Sequence, residues 1–249
     1  MKRPLTDYRA ISFDCYGTLI DWETGIWDAL QPLLAANGRA DLVRGAALHA
    51  FATHESDQQS RTPDLPYPRI LELVHRAMAA ELALATTDEL DTAFGASLPH
   101  WPAFADSADS LRYLQMRYRL VILSNVDRAG FGASSTRLGV EFAAVYTAED
   151  IGSYKPIPSN FEFMLARLRD RFGLHPPDVL HAAQSLFHDH VPAMALGLST
   201  AWIDRNRQSQ GGDRGATAQV AEQPRPDYVF FSMADMVRHI AASGETSTQ

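Results

Sequence analysis

The stretch from Ile11 to Asp21 is an apolar run that ends on the carboxylate of Asp14 and breaks into a turn containing Gly17. Five more β-rich runs follow, at 119–123, 143–147, 178–183, 199–203 and 227–231, separated by enough residues for helical crossovers. Strands joined in this way pair in parallel, so the chain is expected to form an α/β fold with a doubly wound parallel sheet. The carboxyl ends of the strands in such a sheet border the ligand crevice, which puts Asp14 at a strand end, held still by the strand behind it. A bare carboxylate there is either a nucleophile or the cap of the following turn. Asp14 and Gly17 alone support the two readings equally.

From Asp21 to about Gly95 the strand-like runs disappear. Trp27, Leu30, Leu33 and Leu34, and then Ile70, Leu71, Val74, Met78 and Leu82, recur at helical spacing. This predicts an all-helical insertion, interrupted by a connector at residues 62–68 whose three prolines cannot continue a helix. An insertion at this point lies beside the crevice, where it acts as a lid that excludes water and selects substrate. The predicted division is a core domain of residues 1–20 and 97–249 and a helical cap domain of residues 21–96. Arg205 to Arg225, rich in Gln, Gly, Asp and Arg, reads as a surface loop, and Gly244 to Gln249 as a frayed tail.

Cys15 is the only cysteine, so no intrachain disulfide is possible. The N-terminus lacks the apolar segment of a signal peptide, which predicts a cytoplasmic location. No apolar stretch approaches the roughly 18 residues of a membrane span. A formal net charge of −8 argues against a nucleic-acid partner. A small anionic organic substrate remains compatible with it, because Lys155 and backbone amides make a site locally positive.

Three later strand ends also carry polar residues: Ser124 and Asn125, then Lys155, then the segment from Gln184 to Asp189. In order and company these resemble the haloacid dehalogenase superfamily. Residues 14–19 (Asp-Cys-Tyr-Gly-Thr-Leu) resemble its first motif, Leu-Ser-Asn at 123–125 its second, Tyr-Lys-Pro at 154–156 its third, and the acidic segment reaching Asp189 its fourth. The resemblance covers nearly the whole chain. It implies a Rossmann-like core with an inserted helical cap, a hydrolase working through an aspartyl ester, and a possible homodimer.

If Asp14 attacks an electrophilic centre, Lys155 lowers its pKa and neutralises a substrate anion. Thr18, Ser124 and Asn125 then supply neutral hydrogen-bond donors. Position 16 separates the chemistries. Phosphatases of the superfamily usually place there a second acid that protonates the departing alkoxide, and this chain has Tyr16. A halide departs as a stable anion and needs no acid, and Asp-x-Tyr is also the pattern of the 2-haloacid dehalogenase branch. That branch normally grips the halide with a cap arginine, where matching the helix on Glu55 puts Ala50. It also shows a Ser and an Asn before the last acid, where this chain has Ser185 and Leu186, and a Tyr where this chain has Phe161.

A different halide or carboxylate cradle is therefore required, with Trp22, Arg61 and Arg128 as candidates and Gln184, Ser185 and His188 as neighbours. Asp189 is expected to orient the hydrolytic water, with His188 an alternative base and His190 a packing residue. Asp127 is either a helix N-cap or a proton-transfer group. In the primary reading no cofactor is needed. The alternative is a Mg²⁺-dependent phosphatase in which Asp14, the Tyr16 carbonyl and Asp189 are the ligands. A second alternative is a binding protein that has kept the fold and lost catalysis.

Overall fold

A computed structural model describes residues 3–212, 220 and 222–245. Its six strands are β1 (Ala10–Phe13), β2 (Arg119–Ser124), β3 (Ala144–Thr147), β4 (Val179–Ala183), β5 (Ser199–Ile203) and β6 (Tyr228–Phe230). They form one all-parallel sheet in the order β3-β2-β1-β4-β5-β6. The strands match the five predicted runs and the first one to within a residue or two.

Alternation along the strands sends successive side chains to opposite faces. Ile11, Phe13, Leu120 and Ile122 join a core with Leu111, Met236 and Ile240. Ala10, Val121 and Leu123 join a second core with Phe161, Met164 and Leu168. The covering helices are α5 (Ser107–Leu114) and α10 (Met233–Glu245) on the first face and α8 (Ser159–Phe172) on the second. A fully parallel sheet needs this double cover, since both of its faces are apolar.

Between β1 and β2 the chain forms α1 (Trp22–Ala36), α2 (Arg44–Arg61), α3 (Tyr67–Glu81) and α4 (Asp88–Gly95). The predicted connector is shorter than its three prolines suggested. Pro68 lies in the first turn of α3, where its missing N–H is not needed. Asp21 caps α1 by accepting from the Thr24 N–H at 3.1 Å. Gly25 of α1 packs so tightly on Trp101 that an ideal Cβ there would lie 2.2 Å from the indole Cγ. Gly25→Ala is therefore expected to destabilise the fold by about 1–3 kcal/mol through overpacking, read from urea unfolding.

The remaining helices are α6 (Arg128–Leu138), α7 (Ala148–Ile151) and α9 (Val191–Ala195). Of the predicted surface loop, residues 208–210 form a short 3₁₀ turn, and residues 213–219 and 221 lie outside the described residues. The predicted frayed tail is corrected at its start: Gly244 and Glu245 belong to α10, which ends on Glu245. Residues 246–249 lie outside the described residues. No described helix is long and apolar enough to cross a membrane.

Candidate active site

The strand order decides which loops meet. β1 lies between β2 and β4, so the residues following these three strands converge at one edge of the sheet, where the winding reverses. Asp14 follows β1, Ser124 ends β2 with Asn125 next, and the turn from Gln184 to Asp189 follows β4. Lys155 arrives from the loop after α7. Gly17 has φ of +98°, a left-handed conformation that glycine adopts without strain. This turn folds Thr18 back onto the carboxylate that precedes it, and Thr18 Oγ1 donates to Asp14 Oδ2 at 2.8 Å. Thr18 Oγ1 also accepts from the Gln184 N–H at 2.9 Å, locking the loops after β1 and β4 together.

All three protons of the Lys155 ammonium are used. Nζ donates to Asp14 Oδ1 at 2.9 Å, to Asp189 Oδ1 at 2.6 Å and to the Leu123 carbonyl at 3.0 Å. The three side chains are almost fully buried, at 7, 2 and 1% exposure for Asp14, Lys155 and Asp189, so solvent screens their charges little. One cation thus faces two anions, and the two carboxyls separate. Burial raises the Asp14 carboxyl above its ordinary value; Lys155 opposes this and Asp189 adds to it. Lys155 lowers the Asp14 carboxyl as expected, but desolvation exceeds the attraction and the net shift is upward. Burial also works against a charged Asp189, but Lys155 and then His181 outweigh it and hold the carboxyl well below the usual range. His181 is fully buried on β4 and bridges Asp189 Oδ1 at 3.0 Å and Ser12 Oγ at 2.9 Å.

Above Asp14 lies a cavity of about 80 Å³, room for a few water-sized groups and hence for a molecule of a few heavy atoms. Trp22, Phe51, Trp101 and Val126 make its apolar wall. Tyr16, Asn125, Gln184, Ser185 and His188 also line it. Burial lowers the His188 imidazole to about 4, so it is neutral at physiological pH. Asp189 Oδ2 is buried without a hydrogen-bond partner among the described residues, and Asp189 borders the cavity.

Several predicted site residues have other roles. Arg61 ends α2, is largely exposed and pairs with Asp57. It lies two residues past Gln59, which lines the cavity, and so about 200° further round the helix. Arg128 is exposed and its guanidinium pairs with Glu149 and Asp150. Asp127 does not line the cavity; it caps α6, its Oδ1 accepting from the Gly130 N–H at 2.8 Å. Ser124 is buried beside the site, but its hydroxyl bonds neither Asp14 nor any other described group. Asn125 Oδ1 accepts from the Lys155 N–H at 2.7 Å and its amide donates to the Lys155 carbonyl at 3.0 Å, so it braces the loop that delivers the ammonium. The Tyr16 hydroxyl bonds Ser134 Oγ at 2.8 Å. His190 bonds the Ala183 carbonyl at 3.0 Å, away from the cavity.

Sequence reasoning missed Phe51, Glu55 and Gln59 as cavity residues. They recur every four residues on α2, a helical stripe that marks a common face. Tyr67 and Trp101 were also missed, as was Arg205, whose guanidinium holds the Thr18 carbonyl at 2.7 and 3.0 Å.

Part of the donor set expected for Mg²⁺ is already engaged. Asp14 and Asp189 each commit Oδ1 to the same ammonium, and Gln184 adds a neutral amide where a further acid would be needed to hold a hard cation. No cluster of three or more metal-ligating side chains occurs among the described residues.

A buried carboxylate at the switch point of a parallel sheet faces a buried lysine, and the chain belongs to the haloacid dehalogenase-like hydrolase family, whose model matches residues 8–181. Among solved structures, the L-2-haloacid dehalogenase PA0810 is 25% identical with a TM-score of 0.74 over 94% of this chain and 99% of its own. The L-2-haloacid dehalogenase from Xanthobacter autotrophicus is 18% identical with a TM-score of 0.77 over 94% and 98%. The putative HAD-hydrolase YfnB from Bacillus subtilis, bound to magnesium, is 17% identical with a TM-score of 0.74 over 94% and 99%. No curated protein matches the sequence.

Proposed function

We propose that this hydrolase is of the 2-haloacid dehalogenase type, with residues 21–96 capping a core of 1–20 and 97–249. The observation that carries the reading is the buried Asp14 carboxylate, braced by Lys155 and Thr18 under a cavity sized for a short 2-haloalkanoate, with Tyr16 in place of a leaving-group acid. In the first step an Asp14 carboxylate oxygen bonds to C2 of the substrate, the carbon–halogen bond breaks, and the halide leaves with the electron pair. In the second, water adds to the Asp14 carbonyl carbon and the acyl–oxygen bond breaks. The 2-hydroxy acid departs, and the carboxylate returns with one oxygen from water. The unpartnered Asp189 Oδ2 is suited to accept a hydrogen bond from the water and orient it, since its carboxyl is held too low to keep a proton. One water proton passes to the departing alkoxide oxygen and the other leaves to solvent, and neutral His188 borders the same cavity.

The test is halide release from 2-chloropropionate and fluoroacetate in EDTA, with mass spectrometry for an ester on Asp14. Release without metal is expected. No halide at millimolar substrate from folded enzyme overturns the reading, and Mg²⁺-dependent turnover of phosphomonoesters replaces it with the phosphatase. Neither activity and no ester would leave a binding protein.

The pH dependence follows from the raised Asp14 carboxyl. Attack needs the ionised form, so kcat/KM should fall on the acid side, as pH drops through a value above the ordinary carboxylate range. A pH–rate profile with its acid limb at or below that range would contradict it.

A further inference from the structure

The charges lining the cavity pose a problem for an anionic substrate. Its described wall carries the carboxylates of Asp14, Asp189 and Glu55 against the single ammonium of Lys155, and no arginine. Ala50, where a clamp was expected, is 2% exposed and packs in the core. A substrate carboxylate entering with Glu55 ionised would be a fourth anion beside one cation. Burying such an excess is strongly disfavoured.

Glu55 has a geometry that removes the conflict. Its Oε1 accepts from the Tyr67 hydroxyl and, at 3.3 Å, from the Gln59 amide. Both donors fall on one oxygen, which leaves Oε2 to carry a proton. Facing groups come from every neighbouring element: Tyr67 from α3, Tyr154 and Lys155 from the loop after α7, Asp14 and Tyr16 from the loop after β1, and His188 and Asp189 from the turn after β4. Lys155 is saturated by its own three acceptors.

We propose that protonated Glu55 is the specificity-determining residue for the substrate carboxylate, its Oε2–H donating a hydrogen bond to that anion in place of a guanidinium. This deepens the function proposed above and rests on its reading of the cavity as a carboxylate substrate's site. A neutral acid donating to a carboxylate makes a charge-assisted bond, and an acid kept neutral by its surroundings serves as a donor near pH 7. Burial raises the Glu55 carboxyl to about 7, with Tyr67 opposing and Asp14 adding. Anion and proton therefore bind together: each favours the other.

The experiment measures binding rather than turnover. Propionate and propionamide are titrated into the full chain across neutral pH, with tryptophan fluorescence as the signal, since Trp22 and Trp101 line the cavity. Propionate affinity should be steady in weak acid and fall about tenfold per pH unit above the Glu55 midpoint, the slope of one linked proton. Propionamide should show no such loss. Glu55→Gln, a permanent neutral donor, should hold propionate affinity level through the same range. Tyr67→Phe removes a bond that favours the ionised form and should move the midpoint to higher pH. Propionate that fails to bind at any pH, or that keeps the wild-type profile in Glu55→Gln, overturns the proposal. Glu55-dependent binding without halide release refutes the dehalogenase alone, whereas halide release with a KM that ignores both pH and Glu55 refutes the role of Glu55 alone.

Discussion

Lys155→Met is expected to destabilise the protein by about 3–5 kcal/mol at neutral pH, the scale for removing one partner of a buried ion pair. The ammonium is 2% exposed and donates to both Asp14 and Asp189. Without it two carboxylates remain buried side by side, and both are pushed upward by desolvation and mutual repulsion. Because the protonated forms carry no charge, the deficit should shrink as pH falls through the raised values. Urea unfolding of wild type and variant at weakly alkaline and weakly acidic pH measures this directly. A small deficit that ignores pH would show that Lys155 is not the compensating charge. Hydrolysis should be lost at every pH.

Asp14→Asn is expected to have the opposite signature. Turnover should drop by at least about 10⁴-fold, as when a catalytic nucleophile is removed. The fold should survive unharmed. Burial and the neighbouring Asp189 already work against the Asp14 charge in the native state, so a neutral, nearly isosteric amide relieves repulsion that function maintains. Thermal unfolding at neutral pH should give a Tm equal to or above that of the wild type. A large activity loss accompanied by an equally large loss of stability would indicate a structural role instead. Combined with Lys155→Met, the same change should restore part of the missing stability, because only one uncompensated carboxylate is then buried.

Much of the fold was legible because its signals are local. Short β-rich runs at crossover spacing announced a parallel sheet, and every strand fell within a residue or two of its run. The apolar stripes of α1 and α3 could be read from spacing alone, and so could the turn after Asp14. The misreadings arose where a side chain has a choice of partners. Arg61 and Arg128 were offered to the cavity as cations, but Asp57, one helical turn away, claims the first and Glu149 and Asp150, from a distant part of the chain, claim the second. Asp127 was open to two uses, and a helix N-terminus took it. Glu55 served only as an anchor for matching the helix, because nothing around it in sequence reveals that Tyr67 and Asp14 are its neighbours in space.

The linear chain by itself determined the sheet, the insertion after β1 and the presentation of Asp14 at a strand end, since periodicity and turn chemistry act over a few residues. Only the tertiary structure decided the charge state of the site. Whether Lys155 meets one carboxylate or two, and whether Glu55 stands among apolar rings or in water, depends on strand order and on how the α2 stripe is turned toward the sheet. Both are set by contacts between residues far apart in the chain, and electrostatic energies change steeply with the distances and burial those contacts impose.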